Sequence, residues 1–350
     1  MGRRILITGI DTFWGSMTAK SFEADPTVET IIGLGTSDPK VELERTECLR
    51  ADHSYSIVSR IIKSTKVDTV MHTFMATETS AFSGRMLNEN NVIGTMNLLA
   101  AVGGSPSVKK LIVKSSSLVY GSSPQDPYFF DENSKRPSLP KLRIEKSMIE
   151  AESYVKDFAQ DNPHITVTLL RFSNVIGENV TTAITKNLKK RILPYLFGFD
   201  PSIHLIDEED VVSALVFAAN SDLEGIYNVA GDERVPWSEI GSIAAARPIP
   251  LFAYATNLIS APLIKSGIVT ITPELMDLMK YGRGINNTKI KQTGFSYKYT
   301  TSAAVAKFCK LNQLRINLGR AKPEYKYQKE IESFFKHSPA VIGESTTSNE

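Results

Sequence analysis

An α/β fold built on a doubly wound parallel sheet is predicted by three observations. Short β-rich runs alternate with helical stretches along residues 1–180. Those runs are apolar throughout rather than alternating, as strands buried on both faces are. The first of them ends in a glycine turn that opens directly onto a helix. A β-α-β-α order of this kind implies parallel pairing with right-handed crossovers.

The elements follow in order. Residues 4–8 (RILIT) form the first apolar run, and residues 13–24 are helix-like. A second strand is expected at 30–35 (TIIGLG), a helix at 54–64 and a third strand at 69–73 (TVMHT). Residues 91–102 (NVIGTMNLLAAV) read as an apolar helix, followed by a fourth strand at 110–115 (KLIVKS). A Glu- and Lys-rich helix covers 143–160, and a fifth strand covers 165–172 (ITVTLLRF). The pattern then loosens into a helix at 211–219, a strand at 225–230 (GIYNVA) and a helix at 237–246. This predicts a dinucleotide-type domain over 1–175 and a smaller, interleaved substrate-binding lobe over 176–335. No Gly/Ser-rich linker separates the two. Residues 336–350 are polar, with few apolar anchors, and are expected to be a disordered tail.

Composition narrows the function. A hydrophobic fraction of 42% supports a sizeable core, and a net charge of +2 without basic clustering argues against a nucleic-acid binder. The two cysteines, Cys48 and Cys309, cannot build a disulfide framework and suit a reducing compartment. Arg3 and Arg4 precede only a strand-length apolar run, so no secretory signal is expected. The apolar stretch 249–271 is broken by Pro250, Pro262 and Lys265, so no membrane span is expected there. The reading is cytoplasmic. The five histidines show no metal-ligand spacing, and no metal site is expected.

Residues 5–15 (ILITGIDTFWG) carry the first chemical signal. A strand ends at Thr8 and Gly9, and the helix from Phe13 and Trp14 would present backbone N–H groups to a pyrophosphate. Gly9 permits the sharp turn and Gly15 permits close helix–strand packing. Thr12 stands at the middle glycine position and puts a side chain where the phosphates approach.

With further segments added, the chain resembles the NAD-dependent epimerase/dehydratase family, the extended short-chain dehydrogenases. ILITGIDTFWG is similar to the family's TGxxGxxG loop, which makes the fold Rossmann-type. Ala51-Asp52 resembles the segment whose Asp contacts adenine, and VDTVMH (67–72) the following strand. NVIGTMNLL (91–99), SSSLVYG (115–121) and LLRFSNVIG (169–177) match further family segments in order. GIYNVAG (225–231) and TKIKQTGFSYKYT (288–300) match C-terminal signatures.

The resemblance implies an NAD or NADP cofactor, with NAD favoured, held by Gly9, Thr12, Phe13, Trp14, Gly15, Asp52, Thr73, Asn91 and Lys146. It implies Ser116 and Lys146 as catalytic residues, and Ser116 and Asn174 as substrate contacts. In the family a Tyr precedes the Lys by four residues, exchanges a proton with the substrate and has its pKa lowered by that Lys. Here that position is Leu142. The helix register differs, or the proton takes another route, or there is no redox chemistry. Tyr128 lies in a loop that approaches substrate in relatives, while Tyr120 reads as a packing residue.

Other departures point the same way. The acid expected at the end of the second strand is missing from Gly33-Leu34-Gly35-Thr36-Ser37. Ile203 stands where relatives place an arginine against a nucleotide diphosphate. The expected function is therefore hydride transfer at a hydroxyl or carbonyl carbon of a small-molecule substrate. A non-catalytic NAD(P)-binding sensor or regulator is the alternative, and a lipid-like substrate is a third reading. The helices at 91–102 and 143–160 would serve a homodimer, as they often do in relatives.

Overall fold

Seven runs of mostly apolar residues come together as one parallel sheet. In the computed structural model, which describes residues 2–77, 84–252 and 265–318 with Phe334, Ser338 and Ala340, these are β1 (Arg3–Thr8), β2 (Val28–Gly35), β3 (Glu47–Arg50), β4 (Thr69–His72), β5 (Lys110–Ser116), β6 (Thr166–Phe172) and β7 (Gly225–Val229). Their order across the sheet is β7-β6-β5-β4-β1-β2-β3, with every neighbouring pair parallel. The order reverses between β1 and β4. This is the switch point at which doubly wound sheets open a crevice beyond the strand ends.

Helices cover both faces because both faces are apolar. On one side α2 (Tyr55–Thr65), α3 (Gly94–Gly103) and α4 (Arg143–Asp161) pack over Val70, Leu111 and Val113. On the other, α1 (Phe13–Glu23) and α5 (Glu208–Asn220) pack over Ile5, Ile7, Ile112 and Leu170. A buried polar network crosses the first side. The Arg171 guanidinium donates to both carboxylate oxygens of Glu152 at 2.5 and 3.1 Å, and Ser115 Oγ donates to Glu152 at 2.6 Å. Arg171 also donates to the Tyr120 hydroxyl, which donates to Asn228 Oδ1, each at 2.8 Å. Burial alone would lower the Arg171 pKa, but the Glu152 carboxylate holds it above its usual value.

The smaller lobe has its own core of Leu193, Leu196, Trp237, Ile240, Leu278 and Phe308. It is built from the parallel pair Ile192–Leu196 with Arg247–Leu251 and from helices Pro273–Tyr281 and Thr301–Leu318. Since β7 comes from residues beyond 175, the two parts of the chain share the central sheet.

Observed bounds differ from the sequence reading mainly at ends. The helix expected at 91–102 enters through a π-helical turn, Glu89–Ile93, before α3 begins. The helix expected to reach 246 stops at Ile243, and Ala245 takes a left-handed backbone conformation. The edge strand β3 was not foreseen: its four residues, ECLR, put a charge at each end and give no apolar run. Of the apolar stretch 249–271, residues 253–264 lie outside the described residues. In the tail, Ser338 hydrogen-bonds Glu47 and the Ala340 carbonyl accepts from Arg4 at 2.5 Å, so the expected disorder does not extend to these two positions; the rest of 336–350 lies outside the described residues. Among the described residues, no helix is long and apolar enough to cross a membrane.

Candidate active site

The glycine turn after β1 is shaped for close approach. Gly9 sits at φ +81°, and a Cβ there would meet the Phe74 backbone at 2.8 Å. A Cβ on Gly15 would lie 2.2 Å from the Gly9 carbonyl oxygen. Between them Thr12 is the N-cap of α1. Its hydroxyl donates to the Gly9 carbonyl at 2.7 Å and accepts from the Gly15 amide at 3.0 Å. The side chain is thus folded back into the loop and does not project across it. The first-turn amides of Phe13 and Trp14 have no acceptor within the helix, as at any helix start, and the helix dipole favours an anion there.

The missing acid of β2 has a replacement in space. A Cβ built on Gly35 would lie 2.9 Å from the Asp11 carboxylate. Asp11 Oδ2 accepts from the amides and hydroxyls of Thr36 and Ser37 at 2.9–3.2 Å. Among the described residues its Oδ1 has no donor. Nearby, the His53 ring stacks on Phe74 at 3.8 Å, and its buried Nδ1 has no partner among the described residues. Burial pulls His53 down to about 4 against the opposing charges of Asp11 and Asp52. Asp52 itself is exposed and accepts from the Ser54 amide. A glycine cradle at a helix start, a carboxylate oxygen without a donor among the described residues and an orphaned buried imidazole nitrogen are together fit to receive a dinucleotide.

The cleft beyond the sheet is lined by Trp14, Lys114, Ser116, Asn174, Glu274 and Arg283, among others. Ser116 ends β5, and its Oγ accepts from the Leu118 amide at 3.2 Å, capping the turn Ser117–Tyr120. Asn174 stands just beyond β6 and pairs with Leu205. Arg283 is buried and donates to the Gly121 carbonyl and Ser122 hydroxyl, and burial lowers its pKa to about 10. Trp14 is held by an indole N–H donated to the Thr73 carbonyl at 3.1 Å, while the Thr73 hydroxyl donates to the Thr8 carbonyl.

Lys114 is a finding of the structure. It lies on β5 two residues before Ser116 and on the same face. It is 1% exposed, with Nζ 4.0 Å from the Trp14 ring centroid and 5.5 Å from that of Phe172. Among the described residues no carboxylate or other acceptor lies within hydrogen-bonding distance of it. Burial alone pulls its amine down to about 7.

The other expected residues separate. Leu142 is the N-cap of α4, outside the helix, and packs against the core beneath α2–α4. The helix start is instead fixed by Glu145, which accepts from the Lys141 and Leu142 amides and from Arg136. Lys146 is exposed in the first turn of α4 and is not among the residues lining the cleft. The Asn91 amide is engaged with both backbone groups of Ala76 and with Ser147, so it clamps the strand end. Tyr120 is locked in the network described above. Tyr128 is 69% exposed beneath Arg234. Among the described residues no tyrosine lines the cleft. Among the described residues no group of three potential ligands could hold a metal ion.

Residues 5–230, more than half of the chain, match the model of the NAD dependent epimerase/dehydratase family. An uncharacterised protein of Mycobacterium tuberculosis is 29% identical over 306 residues, covering 86% of this chain and 81% of that protein. UDP-glucose 4-epimerase 2 of Oryza sativa is 23% identical over 55% of this chain and 50% of its own length. The NAD complex of dTDP-glucose 4,6-dehydratase from Bacillus anthracis superposes with a TM-score of 0.69 at 18% identity, covering 91% of this chain and 98% of that one. UDP-glucose 4-epimerase of Thermotoga maritima with UDP-glucose gives 0.69 at 18% identity, covering 89% and 99%.

Proposed function

The chain belongs to the NAD-dependent epimerase/dehydratase family, and from that premise we propose that it is an enzyme that binds NAD and moves hydride at a hydroxyl or carbonyl carbon of a small molecule. The observation that carries this reading is the cleft at the strand ends, where Trp14, the residue before Gly15 of the glycine turn, stands with Ser116 and Asn174. Bound NAD would supply the hydride acceptor. Gly9, Thr12, Phe13, Trp14 and Gly15 would hold its pyrophosphate, and Asp52 would serve the adenine. Asp11 Oδ1 would accept from the adenosine ribose hydroxyls, and its negative charge disfavours a 2′-phosphate. This supports NAD over NADP. Ser116 would donate to the reacting oxygen, and Asn174 would position the substrate. Lys146 would reach the nicotinamide ribose only by folding toward the cleft.

The epimerases and the dehydratase named above carry a nucleotide sugar in their names, and we extend that substrate class here as a proposal. Ile203 is fully buried in the lobe core, so it offers no cation to a diphosphate, whereas Arg283 on the cleft wall does. Cys48 and Cys309 are not joined in a disulfide, which suits a cytoplasmic setting. Exposed Met86, Ile93 and Met96 lie seven and three residues apart along one helical stretch and support the homodimer.

Leu142 favours one competing reading, a dinucleotide-binding regulator without turnover. Calorimetric titration with NAD, NADH, NADP and NADPH tests the cofactor site, and product analysis with absorbance of reduced nicotinamide on adding UDP-glucose tests turnover. Micromolar binding of the NAD pair with conversion of the sugar nucleotide supports the enzyme, and binding without conversion of any sugar nucleotide supports the regulator. No binding of any dinucleotide refutes both.

A further inference from the structure

We propose that Lys114 is the proton-exchanging group of this cleft, standing in for the tyrosine that position 142 lacks. The inference rests on the hydride-transfer reading and adds the group that completes it. Hydride removal from an alcohol carbon requires that the hydroxyl proton leave at the same time, and Ser116 alone is too weak a base to keep it. Leu142 has no ionisable group and packs against the core, and among the described residues no tyrosine lines the cleft. Lys114 does line it, on the same strand face as Ser116 and one pleat deeper. Two residues along a strand span about 7 Å, within the reach of an extended lysine side chain.

A buried lysine is costly to keep, so its environment is informative. Structural lysines at this depth normally have a carboxylate or several carbonyl acceptors. Around Lys114 lie the faces of Trp14 and Phe172. Among the described residues the other charged groups on the same cleft are Arg283 and Glu274, and neither is within hydrogen-bonding distance of its amine. Desolvation lowers the amine to about 7, where it can both accept and return a proton at neutral pH.

The balance is simple. In the oxidising direction the substrate O–H proton passes to the neutral Nζ, the C–H bond breaks with its hydride going to the oxidised nicotinamide, and the C=O bond forms. The reverse step returns the proton from the ammonium and the hydride from the reduced nicotinamide.

The test begins with full-length protein carrying 15N at lysine Nζ, titrated by NMR with and without NAD, and assigned with Lys114→Met. The expected result is one resonance with a midpoint near 7 that is absent from the variant and moves when NAD binds. A Lys114 midpoint at the ordinary lysine value in both states overturns the inference. With NAD and UDP-glucose as the probe, Lys114→Met should slow nicotinamide reduction by about a hundredfold or more. Lys114→Arg, which keeps the charge but cannot release the proton, should not rescue it, and NAD affinity should stay within about threefold. A Lys114→Met rate close to wild type also overturns the inference while leaving the hydride-transfer reading intact. Where UDP-glucose is not oxidised, the NMR titration decides. Loss of dinucleotide binding in the wild type would remove the functional reading itself, and this inference with it.

Discussion

Replacing Lys114 with methionine should make the protein more stable, and by an amount that depends on pH. Methionine keeps most of the side-chain volume and removes the amine. The amine is held at about 7, about 3.5 below the ordinary lysine value of 10.5. At ~1.36 kcal/mol per unit, the cost of keeping it charged and buried is about 5 kcal/mol. The contact with the Trp14 face returns up to about 2 kcal/mol of this. The folded-state pKa lies below the unfolded one, so only the unfolded chain carries the proton between about 7 and 10.5. Wild-type stability therefore rises with pH through that window. The full cost is present below it and vanishes above it. Urea unfolding of both proteins at about pH 6 and about pH 9 measures the difference. Lys114→Met should gain about 3–5 kcal/mol at the lower pH and clearly less at the higher. Equal stability at the lower pH, or a gain that does not change with pH, would refute the reading of an uncompensated buried amine.

Four further outcomes are expected. Glu152→Ala leaves Arg171 buried without its carboxylate and should cost about 3–5 kcal/mol in urea unfolding. Asp11→Asn removes the carboxylate charge in the space beside Gly35 and should shift the NAD-to-NADP affinity ratio toward NADP by about tenfold, read by calorimetry. Gly15→Ala drives a methyl group into the Gly9 carbonyl and should weaken dinucleotide binding by at least about tenfold in the same assay. Leu142→Tyr should not raise nicotinamide reduction, because position 142 lies outside α4 and faces the core; a large gain would show that the helix register can adjust.

The sheet was legible because its strands are apolar on both faces, so runs such as RILIT and ITVTLLRF could be placed to within two residues. The order of the family-like segments also located the strand ends where Ser116 and Asn174 now stand. Lys114 was passed over inside KLIVKS, where it read as one polar residue in a strand. Its signal was parity: it shares a face with Ile112, in a strand expected to be buried on both sides. Asp11 was hidden for another reason. The expected acid was sought along β2, and only the folded loop brings a carboxylate from the glycine turn across to Gly35. The exposure of Lys146 depends on where α4 starts, and that is set by Glu145 reaching back to the Lys141 and Leu142 amides, which spacing alone does not reveal.

The position of β7 has a consequence for how the chain is made. Its register against β6 pairs Gly225 with Thr168 and Val229 with Phe172, so a strand made late completes the flank of a layer begun by the first residues. At a synthesis rate of about 5–20 residues per second, the roughly fifty residues between them leave β6 without its neighbour for a few seconds. During that interval the nascent sheet ends in an open edge of apolar residues, the kind of template onto which other chains add. A polypeptide cut near residue 175 would keep that edge permanently. A fragment designed to hold the glycine cradle should therefore stay in solution better when it runs through Val229 than when it stops near residue 175.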